Sequence, residues 1–134
     1  MDGYHYDDAI LTERGLLPRK GAPDTFDVAG FGHMLDRLID NSEDEIAVPV
    51  FDRTLEISRA GAQIIPRSVT HLIVEGNYLL LKTAPWSDLA RRFETTVLIT
   101  AEETVLRARL TQRWVSEGLP EAEVTRKVTQ NDLP

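Results

Sequence analysis

An apolar run that ends in a carboxylate is the first feature of the sequence that could bind a ligand. Residues 72–74 are Leu-Ile-Val, and Glu75 and Gly76 follow them. A carboxylate at the end of a buried strand is the kind of oxygen ligand that holds Mg²⁺ beside phosphate groups, directly or through water. A strand that ends at the surface with a solvated glutamate explains the same residues equally well, so this segment alone leaves both interpretations open.

A second carboxylate lies near the start of the sequence, where Asp2 precedes Gly3 and the rings of Tyr4 and His5. An acid beside glycine and aromatic residues could act as a general base at the edge of a substrate pocket. The other interpretation is a frayed terminus without a role, which is common at chain ends.

Basic residues follow in a segment rich in turn formers, with the sequence RGLLPRKG over residues 14–21. Its cations, among them Arg19 and Lys20, could form an anion site within a chain whose net charge is −7. A solvated basic loop is the alternative and the more common outcome.

A second polar segment, PVFDR over residues 49–53, is predicted to follow a short strand. Asp52 and Arg53, together with Arg59, could line a substrate pocket. Ion pairs at the surface explain the same residues, and each such pair contributes less than about 1 kcal/mol.

Three arginines, Arg107, Arg109 and Arg113, lie in a predicted helix. Arg109 and Arg113 are four residues apart and therefore share a face. Two guanidinium groups on one face could clamp a phosphoryl group and its developing charge. An exposed helix decorated with Glu and Arg is the simpler alternative.

Periodicity and capping residues predict alternating helices and strands. Apolar residues at helical spacing after the N-cap candidate Asp27 predict a helix over 28–39. The capping box in residues 100–103 predicts a helix that begins at Ala101 and ends near Gly118 and Pro120. Further helices are predicted over 86–93 and 121–129, and strands over 46–50, 62–65, 71–74 and 95–99.

This order of elements predicts a single α/β domain over residues 1–134 with a mostly parallel sheet flanked by helices. In such sheets, ligands bind at the carboxyl ends of the strands. We therefore expect Asp2 and the segments 49–53 and 75–77 at one rim of the molecule, with Asp2 and Glu75 side by side.

Composition excludes several functional classes. The net charge of −7 offers no general attraction to nucleic acid or anionic membranes. No cysteine is present, which excludes disulfides and thiolate zinc sites and fits a reducing cytoplasm. No apolar run approaches the roughly 20 residues of a membrane span, early acids argue against a signal peptide, and the histidines show no metal spacing. The oligomeric state, a homodimer included, stays open.

The order of these segments resembles the P-loop kinase family that contains uridine kinase, phosphoribulokinase and bacterial pantothenate kinase. The resemblance spans nearly all of the chain: an acid-Gly-aromatic start, RGLLPRKGAPDTFD, a helix, PVFDR, LIVEGNYLLL, an arginine-bearing helix and NDLP. It is closest to bacterial uridine-kinase-like proteins, known as nucleoside/nucleotide kinase family or fructose-transport-associated kinases. It implies a P-loop NTPase-like fold that uses ATP and Mg²⁺ to phosphorylate a hydroxyl of a nucleoside, a pantothenate-like compound or a sugar.

The resemblance also implies a role for each candidate residue. Asp2 becomes the general base, Glu75 the Mg²⁺ ligand, and Arg109 and Arg113 the charge clamp in a lid at about residues 105–120. The implied substrate-binding residues are Tyr4, His5, Arg19, Lys20, Asp52, Arg53 and Arg59, and the implied nucleotide-binding residues are Asn131 and Asp132.

One family feature has no counterpart in the sequence. The phosphate loop GxxxxGK[ST] is absent, since Gly30 and Gly32 lie in a helix pattern without the Lys-Ser/Thr pair. The Tyr-Asp-x-x-x-His pattern of uridine kinases is also absent, which argues against uridine. We therefore expect a chain that lacks the N-terminal P-loop unit and the last elements of the fold, with little or no kinase activity by itself.

Two alternatives to a kinase remain open. A kinase-derived binding or regulatory module would keep the acceptor pocket without ATP chemistry. A structural or interaction domain without a ligand is the third hypothesis, and it has the least support because no large apolar patch is evident in the sequence.

Overall fold

The computed structural model describes residues 1–133, apart from the side chain of Asn131. The sequence predicts one domain, but the chain divides into two compact units, Met1–Thr96 and Val97–Pro134. The second unit contains the segment predicted as a lid. None of the described helices is long and apolar enough to cross a bilayer.

A β-hairpin is the only sheet in the described residues. Strands β1 (Glu45–Asp52) and β2 (Ile57–Pro66) pair antiparallel. Ile46 and Val48 are buried and alternate with exposed neighbours, as a half-buried strand requires. The register shifts at Pro49, which has no N–H to give to the ladder. The predicted strands over 46–50 and 62–65 are thus confirmed, in longer form.

The turn-rich start of the chain is ordered by hydrogen bonds to the segment before the second helix. It contains α1 (Asp8–Glu13) and 3-10 turns at Asp2–Tyr4, Leu17–Arg19 and Pro23–Thr25. The amide of Asp27 donates to the Tyr4 carbonyl at 2.8 Å, and the amide of Tyr6 donates to the Thr25 carbonyl at 3.0 Å. These bonds hold the Asp2 turn against the core.

Helix α2 (Val28–Asp40) begins and ends where the sequence predicts. The Asp27 carboxylate accepts a hydrogen bond from the Gly30 amide at 2.8 Å, which confirms the N-cap. Asn41 ends the helix in the left-handed conformation, with φ 49°. The buried face of α2 packs into a core cluster made of Phe26, Val28, Phe31, Leu35, Leu79, Trp86 and Leu89.

Two side-chain hydrogen bonds connect the long segment after the hairpin to the loop that precedes α2. The Tyr78 hydroxyl donates to the Gly21 carbonyl at 2.8 Å, and the Trp86 indole donates to the Pro23 carbonyl at 3.1 Å. The helix predicted over 86–93 is present as a 3-10 helix, Trp86–Arg92. The loop before α2 is therefore part of the folded unit.

The strands predicted over 71–74 and 95–99 do not form. Neither segment has strand pairing in the described residues. Ile73 is 98% exposed and Ile99 is 90% exposed, although both were expected in buried strands. A parallel strand exists only when a neighbour supplies its hydrogen bonds, and β1 and β2 pair only with each other. The apolar composition of these segments is typical of strands, but composition does not show which strand would pair with them.

The second unit consists of two helices and a π-helical turn. Helix α3 spans Glu103–Ser116, α4 spans Glu121–Lys127, and the π turn spans Val128–Asp132. The predicted capping box is wrong, because α3 begins two residues later with Glu102 as N-cap and no side-chain capping bond. Gly118 ends the helix as predicted, with φ 81°.

Candidate functional site

The first unit brings the two predicted acids to one place. The backbone nitrogen of Met1 donates to the Glu75 carbonyl at 2.8 Å and lies 3.6 Å from the Glu75 carboxylate. Asp2 is the next residue and begins a 3-10 turn. Met1 thus connects the turn that carries Asp2 to the segment that carries Glu75, but these residues lie in a turn and an irregular segment and not in neighbouring parallel strands.

Both glycines beside these acids lie at close contacts, with backbone at Gly3 and with a flexible side chain at Gly76. A Cβ on Gly3 would overlap the backbone carbonyl of Pro49, and a Cβ on Gly76 would overlap the side chain of Met1. The Asp-Gly and Glu-Gly pairs in the sequence thus mark points where the backbone passes directly against a neighbour.

The Asp2 carboxylate forms an ion pair with the Arg53 guanidinium. The same guanidinium lies over the ring of Phe51, with its Cζ 4.8 Å from the ring centroid. A ligand hydroxyl that approaches Asp2 must therefore share the carboxylate with Arg53 or displace it. Both side chains are partly exposed, so the pair itself contributes little stability.

His5 is a half-buried ring in contact with two phenylalanines. Its ring centroid lies 4.1 Å from that of Phe26 and 4.8 Å from that of Phe51. Its Nδ1 lies 2.8 Å from the carbonyl oxygen of Asp2. Because a carbonyl only accepts hydrogen bonds, Nδ1 must carry the proton of that bond.

The pKa of His5 is lowered, mainly by burial. The hydrogen bond to the Asp2 carbonyl and the Asp2 charge oppose this effect, while the charges of Lys20 and Arg53 add to it. The ring is therefore neutral near pH 7, with Nε2 as a hydrogen-bond acceptor.

Lys20 connects the basic loop to the hairpin. Its Nζ donates to the Asp8 carboxylate and to the Glu56 carbonyl, at 2.6 Å each. The side chain is only 17% exposed and lies 5.4 Å from the Phe51 ring centroid. Arg19 is exposed, and its side chain makes no hydrogen bond or ion pair within residues 1–133. Of these two predicted substrate-binding residues, Lys20 is already engaged and Arg19 is available.

Asp52 closes the hairpin turn. Its carboxylate accepts hydrogen bonds from the amides of Leu55 and Thr54 and from Arg59, which lies 3.1 Å away. The Leu55 bond has the largest effect on its lowered pKa, and the bond from Arg59 comes next. Asp52 and Arg59 thus already have partners within the hairpin.

Tyr4 faces the core. Its ring lies 5.1 Å from that of Phe31, and burial, together with the charge of Asp27, raises its pKa to about 12. The phenol stays neutral under ordinary conditions and cannot act as a base. Tyr4 also lines a mainly apolar cavity of about 400 Å³ whose wall includes Met34, Leu72 and Glu75.

Glu75 is the predicted metal ligand, and its side chain is 84% exposed. No group of three or more His, Asp or Glu residues in the described chain could hold a metal ion. Mg²⁺ commonly uses one or two carboxylates together with substrate phosphates and water. A single accessible carboxylate therefore fits Mg²⁺ held jointly with a phosphate ligand, but no cage formed by protein alone.

The predicted clamp arginines differ in their surroundings. Arg113 pairs with Glu117 at 3.1 Å and lies over the ring of Trp114 at 4.8 Å. The side chain of Arg109 makes no hydrogen bond or ion pair in the described part of the chain. Arg109 is thus the clamp residue that is free to take a ligand.

The predicted nucleotide-binding pair lies in the π-helical turn. The Asp132 carboxylate accepts a hydrogen bond from the Trp114 indole at 2.6 Å. Lys127 lies over the same ring, with Nζ 4.0 Å from its centroid. The side chain of Asn131 lies outside the described part of the chain. Asp132 therefore joins the end of the chain to α3.

Sequence reasoning missed two residues of this site. Asp8 holds the Lys20 ammonium, and Phe26 supports the His5 ring. Neither contact follows from periodicity or from a motif, because the segments between the partners are irregular. Only the path of the chain shows these pairs.

Comparisons with known proteins agree with this arrangement. The Escherichia coli (strain K12) protein YggC is 35% identical over 119 residues, which cover 89% of this chain and 48% of YggC. A candidate uridine kinase of Schizosaccharomyces pombe is 30% identical, with 99% of this chain and 59% of that protein covered. The ATP-dependent kinase-like protein notR′ of Aspergillus versicolor is 30% identical, with 89% of this chain and 73% of notR′ covered.

This chain belongs to the P-loop kinase family. The chain spans between about half and three fifths of the length of the first two relatives. No protein-family model matches it.

Solved structures give the same assignment for the kinase fold. A candidate fructose transport system kinase from Silicibacter sp. TM1040 superposes with a TM-score of 0.92 at 39% identity, covering 99% of this chain and 64% of that one. The Saccharomyces cerevisiae protein YFH7, described as a circularly permuted P-loop kinase, has a TM-score of 0.84 at 23% identity and shows the fold alone. The predicted α/β, P-loop NTPase-like fold class and the family resemblance are confirmed.

Proposed function

We propose that this chain forms the acceptor-binding part of a small-molecule kinase that transfers a phosphoryl group from ATP to a hydroxyl group of a metabolite. The observation that supports this proposal most directly is the contact of Glu75 with Met1, the residue before Asp2. One acid is placed to orient a hydroxyl, and the other is an accessible oxygen ligand for a metal–phosphate group.

Asp2 acts on the acceptor hydroxyl in this proposal. Once the hydroxyl displaces Arg53, the carboxylate accepts its hydrogen bond and takes its proton during transfer. Arg53 remains nearby, held over Phe51, and can bind the acceptor or return to Asp2 afterwards. Positioning of this kind supplies most of the catalysis in phosphoryl transfer.

ATP and Mg²⁺ are the cofactors implied for the whole enzyme. When bound, Mg²⁺ neutralises charge on the phosphates, and Glu75 is the residue that would hold it. The sequence contains no GxxxxGK[ST] segment, so these residues do not fit the β-phosphate of ATP. Arg109 is the residue of α3 that would meet the transferring group. We therefore expect this chain alone to show little or no ATP turnover.

The test uses Asp2→Asn in a form of the protein extended upstream to include a GxxxxGK[ST] segment. Turnover, followed as ADP release over a panel of hydroxyl acceptors, should fall by at least about a thousandfold while ATP binding stays within about twofold of the parent. Near-normal turnover in this variant would remove Asp2 from the mechanism. Steady turnover by residues 1–134 alone would overturn the expectation of an inactive chain.

A second candidate function is a binding or regulatory module derived from a kinase. The absence of the phosphate loop from this sequence favours it. The upstream reading frame distinguishes the two candidates: an in-frame GxxxxGK[ST] supports the enzyme, and a genuine start codon at Met1 with its own ribosome-binding site supports the module.

A further inference from the structure

The charged side chains around Asp2 are paired one to one. Three cations and three carboxylates form the pairs Lys20–Asp8, Arg53–Asp2 and Arg59–Asp52. The charges of Lys20, Arg53 and Asp2 all act on the His5 ring, so these groups belong to one electrostatic neighbourhood. Within these three pairs, positive and negative charges are equal in number.

This balance works against an anionic ligand. A carboxylate or phosphate group that binds Arg53 either shares this guanidinium with the Asp2 carboxylate or displaces it, and in both cases lies beside that carboxylate. Like charges at that distance repel, and a chain of net charge −7 adds no attraction at longer range. Neither the Asp2 carboxylate nor the net charge of the chain disfavours an uncharged ligand.

His5 adds a requirement for hydrogen-bond donors. Its Nδ1 proton is engaged by the Asp2 carbonyl at 2.8 Å. No described residue donates to Nε2, and no buried side-chain nitrogen or oxygen in the described chain lacks a partner, so Nε2 must be open to solvent. A neutral imidazole in this tautomer accepts at Nε2. Hydroxyl groups can satisfy it, whereas ionised carboxylates and phosphates are acceptors only.

Local geometry keeps the two polar groups close together. Asp2 begins the 3-10 turn Asp2–Tyr4, and the His5 amide closes it by donating to the Asp2 carbonyl at 3.1 Å. The His5 Nδ1 donates to the same carbonyl, and the charge of Asp2 acts on the ring. A ligand with two hydroxyl groups can therefore reach both the Asp2 carboxylate and the His5 ring.

We propose that the phosphoryl acceptor is an uncharged molecule with at least two hydroxyl groups, one bound by Asp2 and a second that donates to Nε2 of His5. This inference rests on the proposed function, and it adds the class of acceptor and the residue that selects it. His5 is then a specificity residue, because an acceptor without the second donor leaves Nε2 unsatisfied.

The experiment measures binding to residues 1–134 without ATP, by titration calorimetry. The probes are three matched pairs that differ in charge: pantothenol and pantothenate, ribose and ribose 5-phosphate, uridine and uridine 5′-monophosphate. In at least one pair the neutral member should bind at least about tenfold more tightly than its anionic partner. Tighter binding of the anionic members, or no binding by any of the six probes at 10⁻² M, would overturn the inference.

Two substitutions make the test specific to His5. His5→Phe keeps the ring but removes both nitrogens, and it should weaken the neutral ligand at least about fivefold. His5→Gln, which can place an acceptor oxygen near the position of Nε2, should recover part of that loss. The matched control His33→Gln alters an exposed histidine of α2 and should change nothing. Equal affinities across these variants would show that His5 does not take part in recognition. Thermal unfolding of each variant shows whether it is folded, so that a loss of affinity is not confused with misfolding.

A charge variant tests the other half of the inference. Asp8→Asn leaves the Lys20 ammonium with only the Glu56 carbonyl as partner. The anionic member of the pair should then gain severalfold in affinity at low salt, and the gain should vanish at high salt. An unchanged preference would show that charge balance does not select the acceptor. Because these measurements involve no phosphoryl transfer, their failure leaves the kinase proposal to be judged by turnover alone.

Discussion

At the residue scale, the protonation state of His5 is set by its immediate contacts. Burial between Phe26 and Phe51 disfavours the charged ring, and this effect exceeds the opposing influence of the Asp2 carbonyl and carboxylate. The ring is thereby kept as a neutral acceptor beside a carboxylate that is paired with Arg53. One turn of backbone thus positions both polar groups of the candidate acceptor site.

This lowered pKa has a consequence for stability. In the unfolded chain the histidine pKa is about 6.5, so the unfolded state binds the proton more tightly than the folded state does. The stability that the neutral His5 ring contributes should therefore be fully present above about pH 6.5. It should fall as the pH decreases from there towards the pKa of His5 in the folded state. The charged groups acting on the ring are Asp2, Lys20 and Arg53.

Urea unfolding at pH 7.5, 6.5 and 5.5 checks this expectation, with His5→Phe and the exposed control His33→Phe. The parent and the control should lose more stability on acidification than His5→Phe does. Equal losses in all three proteins would show that His5 is not the group responsible.

At the element scale, Lys20 connects parts of the chain that share no regular hydrogen bonding. The Asp8 carboxylate in α1 and the Glu56 carbonyl in the hairpin turn both accept from its Nζ. Glu56 has φ 56°, so the turn that presents this carbonyl is left-handed at that residue. The lysine thus helps to hold the hairpin over the loop that precedes α2.

Lys20→Met should therefore lower the free energy of unfolding by about 1–3 kcal/mol, because it removes charge-assisted hydrogen bonds from a largely buried ammonium while keeping most of the apolar stem. The neighbouring change Arg19→Met removes an exposed cation without a partner in the described chain and should stay within about 0.5 kcal/mol of the parent. Urea denaturation of both variants provides the measurement. Similar losses for the two would argue against the tether.

At the scale of the whole molecule, most side chains of the apolar segments 71–74 and 95–99 are exposed to solvent. Ile73 is 98% exposed, while Ile46 in β1 is 2% exposed. Residues of the same type thus lie in opposite environments within one unit. Segments of this composition are stable as strands only beside another strand.

Ile73→Ala should consequently change the free energy of unfolding by less than about 0.5 kcal/mol. Ile46→Ala, the matched change in the core, should cost about 2–5 kcal/mol. Chemical denaturation of residues 1–134 compares the two directly. A large loss for Ile73→Ala would contradict the exposure of this side chain.

Much of the local structure could be predicted from the sequence. The Asp27 cap and the apolar stripe of α2 act over a few residues, and the alternation in β1 needs only its own side chains. For the candidate site, the sequence provides a set of residue types, and their roles stay predictions. The pairing within the site was not predictable, because Asp2 and Arg53 are 51 residues apart and meet only through the hairpin.

The sequence by itself thus determined the helices, the hairpin strands and, through the order of its motifs, the P-loop kinase family. These depend on spacing and on caps, which are local. Tertiary structure alone decided that Lys20, Arg53 and Arg59 are already paired, that His5 accepts and does not donate at Nε2, and that the apolar run before Glu75 has no strand partner. Each of these depends on which distant segment the folded backbone brings within hydrogen-bonding distance, and no short-range pattern contains that information.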